Sequence, residues 1–284
     1  MTLAQPSARI IDMHLNSYNK DHYIGSVVHA GLEPSKNYKA HFEETYKMLG
    51  KYNIVKGVIA NDKNAIETWK DQDEENRILW GSGMFYPHEL SVADFEQLIV
   101  DNKIHAYGEL PPVYYPHGVL NKGNKPYLQV CEKHGVPVFI YLGSSSMKVR
   151  YNTSPDRRLA DDDPQRLEGI MKEYPKLKVH LLHSFEVYPY MEEVIELMKK
   201  YENIYVSLGS VLWYGPKHKQ YANDFLRRTK EEGVIEKVMF GSNQQYWPES
   251  IKLSIDFLNT RGFLTVAEKK GIFYDNAAKF LELE

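Results

Sequence analysis

Residues 237–247, Lys-Val-Met-Phe-Gly-Ser-Asn-Gln-Gln-Tyr-Trp, decide how the rest of this chain is interpreted. They predict a short buried strand from Val238 to Phe240, followed by a turn of small residues with polar side chains just beyond it. In a (β/α)8 barrel, the residues that perform chemistry lie at the C-terminal ends of the strands. Asn243 therefore occupies a candidate site position.

This strand is the last of eight apolar runs that alternate with amphipathic helical stretches. The predicted strands are Arg9–Leu15, Ile54–Ala60, Ile78–Phe85, Ile104–Leu110, Val136–Leu142, Lys178–Phe185, Asn203–Leu208 and Lys237–Phe240. Alternation of this kind predicts parallel pairing through crossovers. Eight units without a change in composition predict an α/β fold, a (β/α)8 TIM barrel, as a single domain over residues 1–284. A C-terminal helix is predicted over Thr265–Leu283, because Thr265 and Glu268 have capping-box spacing.

Composition limits the classes of function. The 284 residues suit one barrel, since that fold takes roughly 250. A net charge of −3 argues against a non-specific nucleic-acid binder, which needs an excess of basic residues to neutralise phosphates. The single cysteine, Cys131, suits a reducing compartment, and no apolar run reaches the ~20 residues of a membrane helix. We expect a cytoplasmic protein with a small-molecule substrate and no nucleic-acid or membrane partner; a homo-oligomer is left open.

Polar residues at predicted strand ends are the candidate functional groups. Asp12, His14 and Asn16 fall on alternate positions of the first strand, where side chains share a face. Polar residues at alternate positions near the end of a strand are not explained by packing in the core alone. Glu109 and Tyr141 come near the ends of the fourth and fifth strands, as His183 does in the sixth.

The first and last strands carry a family resemblance. Asp12-Met13-His14-Leu15-Asn16 resembles the amidohydrolase signature Asp-x-His-x-His, whose two histidines bind a divalent metal. His14 matches the first histidine, and Asn16 replaces the second. Phe240-Gly241-Ser242-Asn243 is similar to the family's Phe-Gly-Ser-Asp, with Asn243 in place of the catalytic aspartate.

The resemblance extends from Ile10 to Leu283. Gly108-Glu109-Leu110 is similar to the Gly-Glu-Leu segment of the amidohydrolase-2 type, where the glutamate approaches the metal. Tyr141 stands where the family's Pro-Val-x-Ile-His-x-Gly pattern has a histidine, whereas His183 matches a downstream histidine. The resemblance implies a barrel enzyme whose ligand set departs from the family at three positions.

These departures weaken the expected metal site. The matching positions leave His14, Glu109 and His183 as candidate ligands, whereas zinc takes about four. The oxygen of an asparagine amide and the oxygen of a protonated tyrosine are weak ligands for it. We therefore expect no tightly bound cofactor, with room for a weakly held divalent metal such as zinc. The same mouth can act as a metal-free acid–base site. The candidate catalytic residues are His14, Glu109, Tyr141, His183 and Asn243.

The expected function is that of an amidohydrolase-like enzyme that hydrolyses a small ester, lactone, amide or carboxylated substrate. The alternatives are a lyase or decarboxylase, and a catalytically inactive or engineered barrel that only binds ligand. Aromatic side chains after the seventh and eighth strands can form a substrate wall or pack between loops. Arg150 can bind a substrate anion or belong to a solvated ion-pair surface. The candidate substrate-binding residues are Asn16, Trp213, Tyr214, Tyr246, Trp247 and Arg150.

Overall fold

The computed structural model describes residues 8–61, 69–70, 72–83, 89–110, 119–142, 163–183 and 190–283, apart from the side chains of Leu142 and His183. All eight predicted strands are present, with shorter bounds than predicted. They are β1 Ile10–Leu15, β2 Ile54–Ile59, β3 Ile78–Trp80, β4 Tyr107–Leu110, β5 Val138–Leu142, β6 Val179–His183, β7 Ile204–Ser207 and β8 Val238–Met239.

The strands pair in parallel and in chain order. Regular pairing joins β1 to β3 and, separately, β4 to β8. Hydrogen bonds cross both remaining junctions: the amide of Ser82 donates to the carbonyl of Ala106 at 2.9 Å, and that of Met13 donates to Phe240 at 2.9 Å. These bonds complete the ring of strands, so the predicted TIM barrel is confirmed. The single-domain boundary at residues 1–284 stays a prediction.

Helices follow the strands in the described part of the chain. Their bounds are α1 Tyr38–Lys51, α2 Val92–Val100, α3 Lys125–His134, α4 Glu168–Glu173, α5 Met191–Lys200, α6 Pro216–Glu231, α7 Ser250–Asn259, α8 Val266–Lys270 and α9 Asn276–Leu281. Among the residues described, no helix is long and apolar enough to cross a membrane.

The predicted C-terminal helix is present, and it is interrupted. Thr265 and Glu268 form the capping box at the start of α8. A π-helical turn over Gly271–Asp275 then joins α8 to α9. This turn interrupts the α-helical hydrogen-bond pattern, and α9 then packs Phe280 into the apolar core.

Two apolar clusters build the core. The larger cluster lies between the strands and the surrounding helices. The smaller one fills the barrel interior, and α9 contributes Phe280 to it, with its ring 4.7 Å from that of Tyr205. Because this cluster fills the N-terminal part of the barrel, polar side chains are left to the C-terminal mouth.

Candidate functional site at the barrel mouth

The centre of the candidate site is a histidine and a carboxyl group from strands on different sides of the barrel. Nε2 of His14 on β1 lies 3.7 Å from Oε1 of Glu109 on β4. The His14 side chain is 4% exposed and that of Glu109 is 16% exposed. The two groups are therefore shielded from bulk water and within reach of one small substrate.

Irregular strand pairing brings both groups to the mouth. The pairing of β1 with β2 shifts register between Asp12 and Leu15, and that of β4 with β5 shifts between Tyr107 and Leu110. Met13 packs inside the barrel whereas Leu15 packs between the strands and the helices. The alternation of inward and outward side chains along β1 is therefore interrupted at His14. Bulges of this kind re-aim side chains next to active sites.

Gly108 is required immediately before Glu109. Its φ of +107° lies in the region that only glycine adopts readily. A Cβ placed there would lie 2.5 Å from the amide nitrogen of Leu110 and 2.6 Å from the carbonyl oxygen of Phe139. This glycine therefore fixes the direction in which Glu109 leaves β4.

Burial changes the protonation of both central groups. It raises the pKa of Glu109 to about 7, and it lowers the pKa of His14 to about 3. Near neutral pH the imidazole is therefore neutral, while the carboxyl group is populated in both forms. A group of this kind can donate or accept a proton in catalysis.

The two asparagines at positions where the resemblance implies a histidine and an aspartate bind each other. Nδ2 of Asn16 donates to Oδ1 of Asn243 at 2.6 Å, and the main-chain amide of Asn243 donates to the carbonyl of His14 at 2.7 Å. Nδ2 of Asn243 is 3.5 Å from Oγ of Ser210, a long contact that leaves this donor the more available of the two amides.

Asp12 joins the ends of β1 and β8 beneath these residues. Its Oδ1 accepts the main-chain amides of His14 at 3.1 Å and Ser242 at 2.9 Å. Burial raises the pKa of the Asp12 carboxyl to about 7, against the lowering effect of its hydrogen bonds from Ser242 and His14. The carboxyl group thus holds the strand ends together from a fully buried position.

The other predicted catalytic residues are placed only in part. Tyr141 lies on β5, half-buried and packed against the barrel interior. The backbone of His183 pairs with Leu142 at the ends of β6 and β5, but its side chain lies outside the described residues. Arg150 also lies outside the described residues. The roles of all three stay predictions.

The predicted aromatic wall is largely a packed cluster. Trp213 is fully buried and Trp247 is nearly so, with their rings 5.8 Å apart. Tyr214 stacks on His29 at 3.6 Å, and the Tyr246 hydroxyl lies 3.1 Å from Nε2 of a histidine in the same β1–α1 loop. These contacts join that loop to those after β7 and β8, so packing between loops accounts for both tryptophans. Tyr214 and Tyr246 are half-exposed and stay candidates for substrate contact.

The described donors fall short of a metal site. His14 and Glu109 supply two ligands where zinc takes about four. Asn16 and Asn243 are directed at each other. Within the part of the chain that the structure describes, no group of three or more His, Cys, Asp and Glu residues could hold a metal ion. These residues therefore do not fit a tightly bound metal by themselves.

Sequence reasoning missed two residues that shape the mouth. Gln244 is fully buried, and its side chain binds the backbone of Asn16. His41 on α1 is also fully buried, with Nε2 2.6 Å from the carbonyl oxygen of Gln245. The run Asn243-Gln244-Gln245 in a loop beside a buried strand was the available signal for the first; no local pattern marks the second.

Comparison with known proteins agrees with this architecture. The family model described as amidohydrolase matches residues 102–283. No curated protein matches the sequence. One similar solved structure is an uncharacterized TIM-barrel protein from Bordetella bronchiseptica, with 18% identity, a TM-score of 0.69, and coverage of 96% of this chain and 98% of that one.

Two further similar structures have assigned activities. A probable 2-pyrone-4,6-dicarboxylic acid hydrolase from Acinetobacter baumannii is 16% identical, with a TM-score of 0.66 over 97% of this chain and 100% of that one. A 5-carboxyvanillate decarboxylase from Novosphingobium aromaticivorans, with bound manganese, is 15% identical, with a TM-score of 0.64 over 97% of each chain. At these identities the likeness establishes the fold alone.

Proposed function

This chain belongs to the amidohydrolase family, and on that premise we propose that it is an enzyme that uses Glu109 as general acid and base, with the neutral imidazole of His14 as a hydrogen-bond partner for a small carboxylated or ester-like substrate, without a tightly bound metal. One observation carries the proposal. The Nε2 and Oε1 atoms of the two residues are 3.7 Å apart in a mouth that shields both from solvent.

The pair has complementary protonation near neutral pH. Burial lowers the pKa of His14 to about 3, so the imidazole is neutral and can accept a hydrogen bond. Burial raises the pKa of Glu109 to about 7, which places this carboxyl group near the value that best serves general acid–base catalysis. Asn243 supplies an amide donor that can orient a substrate oxygen.

In hydrolysis, the ionised Glu109 removes a proton from a water molecule as the water oxygen attacks the substrate carbonyl carbon. The same proton then passes from Glu109 to the leaving oxygen or nitrogen as its bond to carbon breaks. Asn243 takes no proton in this scheme, because an amide is not a base at neutral pH.

Decarboxylation is the second candidate, and the raised pKa of Glu109 favours it. Protonated Glu109 delivers its proton to the substrate carbon, the carbon–carboxylate bond breaks, and carbon dioxide leaves with no change in oxidation state of the enzyme. Structural neighbours include a 5-carboxyvanillate decarboxylase and a 2,6-dihydroxybenzoate decarboxylase, which makes hydroxylated benzoates reasonable test compounds.

The metal-independent part of the proposal rests on donor chemistry. The asparagine amides have neutral oxygens, which are weak ligands for transition metals. Manganese is bound in two of the structural neighbours, both decarboxylases, so the metal requirement of this chain needs a direct test.

The test measures metal content and activity on the same purified protein. Lactones and aryl esters form one substrate panel, and hydroxylated benzoates form the other, each before and after treatment with EDTA. We expect activity on one panel to survive EDTA. Glu109→Gln should lower it at least about 100-fold, and Glu43→Gln, at an exposed position of α1, should leave it unchanged.

Loss of activity with EDTA and its return with zinc or manganese would overturn the metal-independent site. Inactivity on both panels, with ligand binding retained, would support the inactive barrel instead.

A further inference from the structure

The side chain of Gln244 extends the pairing of β1 with β8 beyond its last main-chain bond. Its Oε1 accepts the amide of Asn16 at 2.9 Å, and its Nε2 donates to the carbonyl of Asn16 at 2.9 Å. In a regular parallel sheet, the amide and the carbonyl of Asn16 would both be paired with backbone groups of the neighbouring strand. Gln244 thus replaces a strand residue at the open end of the junction.

The backbone around Gln244 is strained. Asn243 has a φ of +44° and Gln245 a φ of +46°, both in the left-handed region. Asparagine tolerates this region, whereas for most other non-glycine residues it costs about 1–2 kcal/mol. Such conformations persist only where the surroundings hold them, and they cluster at functional sites.

Two buried side chains hold this turn from opposite sides. Gln244 fastens it to β1 through Asn16, and His41 on α1 lies with Nε2 2.6 Å from the carbonyl oxygen of Gln245. Burial lowers the pKa of His41 to about 4, so its ring is neutral and Nε2–H is the donor in this bond. The turn is therefore anchored at both of the residues that follow Asn243.

We propose that Gln244 and His41 are positioning residues that hold the Asn243–Gln245 turn and so direct the Asn243 amide at the reaction site. The assignment of the mouth as that site rests on the proposed function. In this chain, hydrogen-bonded side chains hold the end of β8 against β1 and α1.

Two tryptophans report on the turn. The indole of Trp213 donates to the carbonyl of Ser242 at 2.9 Å, and the main-chain amide of Trp247 donates to the carbonyl of Gln244 at 2.9 Å. Trp80 lies on β3, away from this junction, and serves as an internal control. The chain has four tryptophans, so their indole resonances can be assigned by single replacement with phenylalanine.

The experiment compares Gln244→Ala and Gln244→Met with Gln129→Met, a change at an exposed glutamine of α3. Hydrogen exchange of the Asn243 amide is the decisive readout, since its bond is to His14 and not to Gln244. We expect Gln244→Ala to accelerate this exchange at least 10-fold and to shift the indole resonances of Trp213 and Trp247. The Trp80 resonance and the exchange of β5 and β6 amides should not change.

Gln244→Met keeps the volume and removes both bonds to Asn16 without burying a charge, so it should fold and accelerate the exchange in the same direction. It also answers the question if the alanine variant does not fold. His41→Gln should accelerate the same exchange through loss of the Gln245 anchor. Exchange of the Asn243 amide within twofold of wild type in the folded Gln244 variants would overturn the proposal.

A kinetic measurement separates positioning from simple stabilisation. On a substrate from the active panel, Gln244→Ala should lower kcat at least 10-fold at a temperature where it is fully folded, while KM changes less. If both panels are inactive, the proposed function fails, but the exchange and resonance measurements still decide whether Gln244 holds the turn. Unchanged kcat in a variant with accelerated exchange would show a structural role only.

Discussion

The side-chain amide of Asn16 donates a 2.6 Å hydrogen bond to Oδ1 of Asn243, so the two positions where family resemblance leads one to expect metal ligands are joined to each other. The bond connects the end of β1 to the end of β8, the first and last strands of the barrel. Neutral amide groups therefore occupy this corner of the mouth, and His14 and Glu109 are the titratable groups beside it.

This asparagine pair should show measurable coupling. In a double-mutant cycle of Asn16→Ala and Asn243→Ala, we expect an interaction free energy of about 1 kcal/mol, the usual net value of one hydrogen bond. Alanine at position 243 adds the same backbone strain whether residue 16 is asparagine or alanine, so this cost cancels from the interaction free energy. Urea denaturation gives the four stabilities. The exposed pair Gln220 and Asp224, bonded at 2.8 Å, is the control and should couple by about 0.5 kcal/mol or less. Equal coupling in the two pairs would contradict a structural role for the asparagine pair.

The buried carboxyl of Glu109 should make stability depend on pH in a defined direction. Its pKa is raised from 4.5 to about 7, so the folded state binds its proton more tightly than the unfolded state does. This contribution is fully present below pH 4.5 and is lost as the pH rises through 7. Glu109→Gln removes the titration, so the variant should gain stability relative to wild type between pH 5 and pH 8, by on the order of 1–3 kcal/mol.

Denaturation by urea at the two pH values measures that difference. The same comparison for Glu43→Gln, an exposed residue of α1, should give no pH-dependent difference. If the free energies of unfolding of Glu109→Gln and wild type differed by the same amount at pH 5 and pH 8, Glu109 would have an ordinary pKa in the folded protein.

Gly241 should be intolerant of a methyl group. A Cβ there would lie 3.0 Å from Cβ of His14 and 3.0 Å from both Cβ and Oγ of Ser207. Gly241→Ala should therefore lower stability by about 1–3 kcal/mol and reduce activity by displacing His14. Thermal unfolding and the substrate panel measure the two effects. Gly169→Ala on α4, where nothing lies within 4 Å, should leave stability unchanged or raise it by up to about 1 kcal/mol.

Introducing the histidines and the aspartate that the resemblance implies should create a metal site. In the apo triple variant Asn16→His, Tyr141→His and Asn243→Asp, two imidazoles and a carboxylate join His14 on strand ends that the barrel fixes. We expect zinc to bind at least 100-fold more tightly than to wild type, as measured by calorimetric titration. Stability without metal should fall by about 1 kcal/mol, because the Asn16–Asn243 bond is lost.

The single variant Tyr141→His is the control and should bind zinc no more than weakly. Zinc affinity of the triple variant equal to that of wild type would mean that the strand ends have been rebuilt for a different purpose.

Much of the architecture could be predicted because it depends on local periodicity. Val138–Leu142 is an uninterrupted run of apolar and aromatic residues, and Ile54–Ile59 is interrupted only by Lys56 and Gly57, as expected of strands that are largely buried in a parallel barrel. The capping box at Thr265 was predictable for the same reason, since all its partners lie within four residues. Once the strands were assigned from their apolar runs, the positions of His14 and Glu109 near strand ends could be predicted as well.

Simple alternation did not give the facing of these side chains. It placed Asp12, His14 and Asn16 on one face. In the structure the strand register shifts between Asp12 and Leu15, and the Asp12 carboxylate accepts a hydrogen bond from the main-chain amide of Ser242 after β8. A bulge depends on how two strands pair, so one strand's sequence does not reveal it. Gly108 was the one available sign of the second bulge, since a glycine inside a strand often marks such a site.

By itself, the sequence determined the order of strands and helices, the family, and which polar residues stand at strand ends, because these depend on residue type and spacing along the chain. Only the tertiary structure decided that His14 meets Glu109, that Asn16 binds Asn243, and that Gln244 pairs with β1. These partners are 95, 227 and 228 residues apart for the three pairs, as their residue numbers show. The two contacts of Asn16 form only when the barrel closes, because closure brings the first strand beside the last. His14 meets Glu109 because the closed ring directs the ends of β1 and β4 into one mouth.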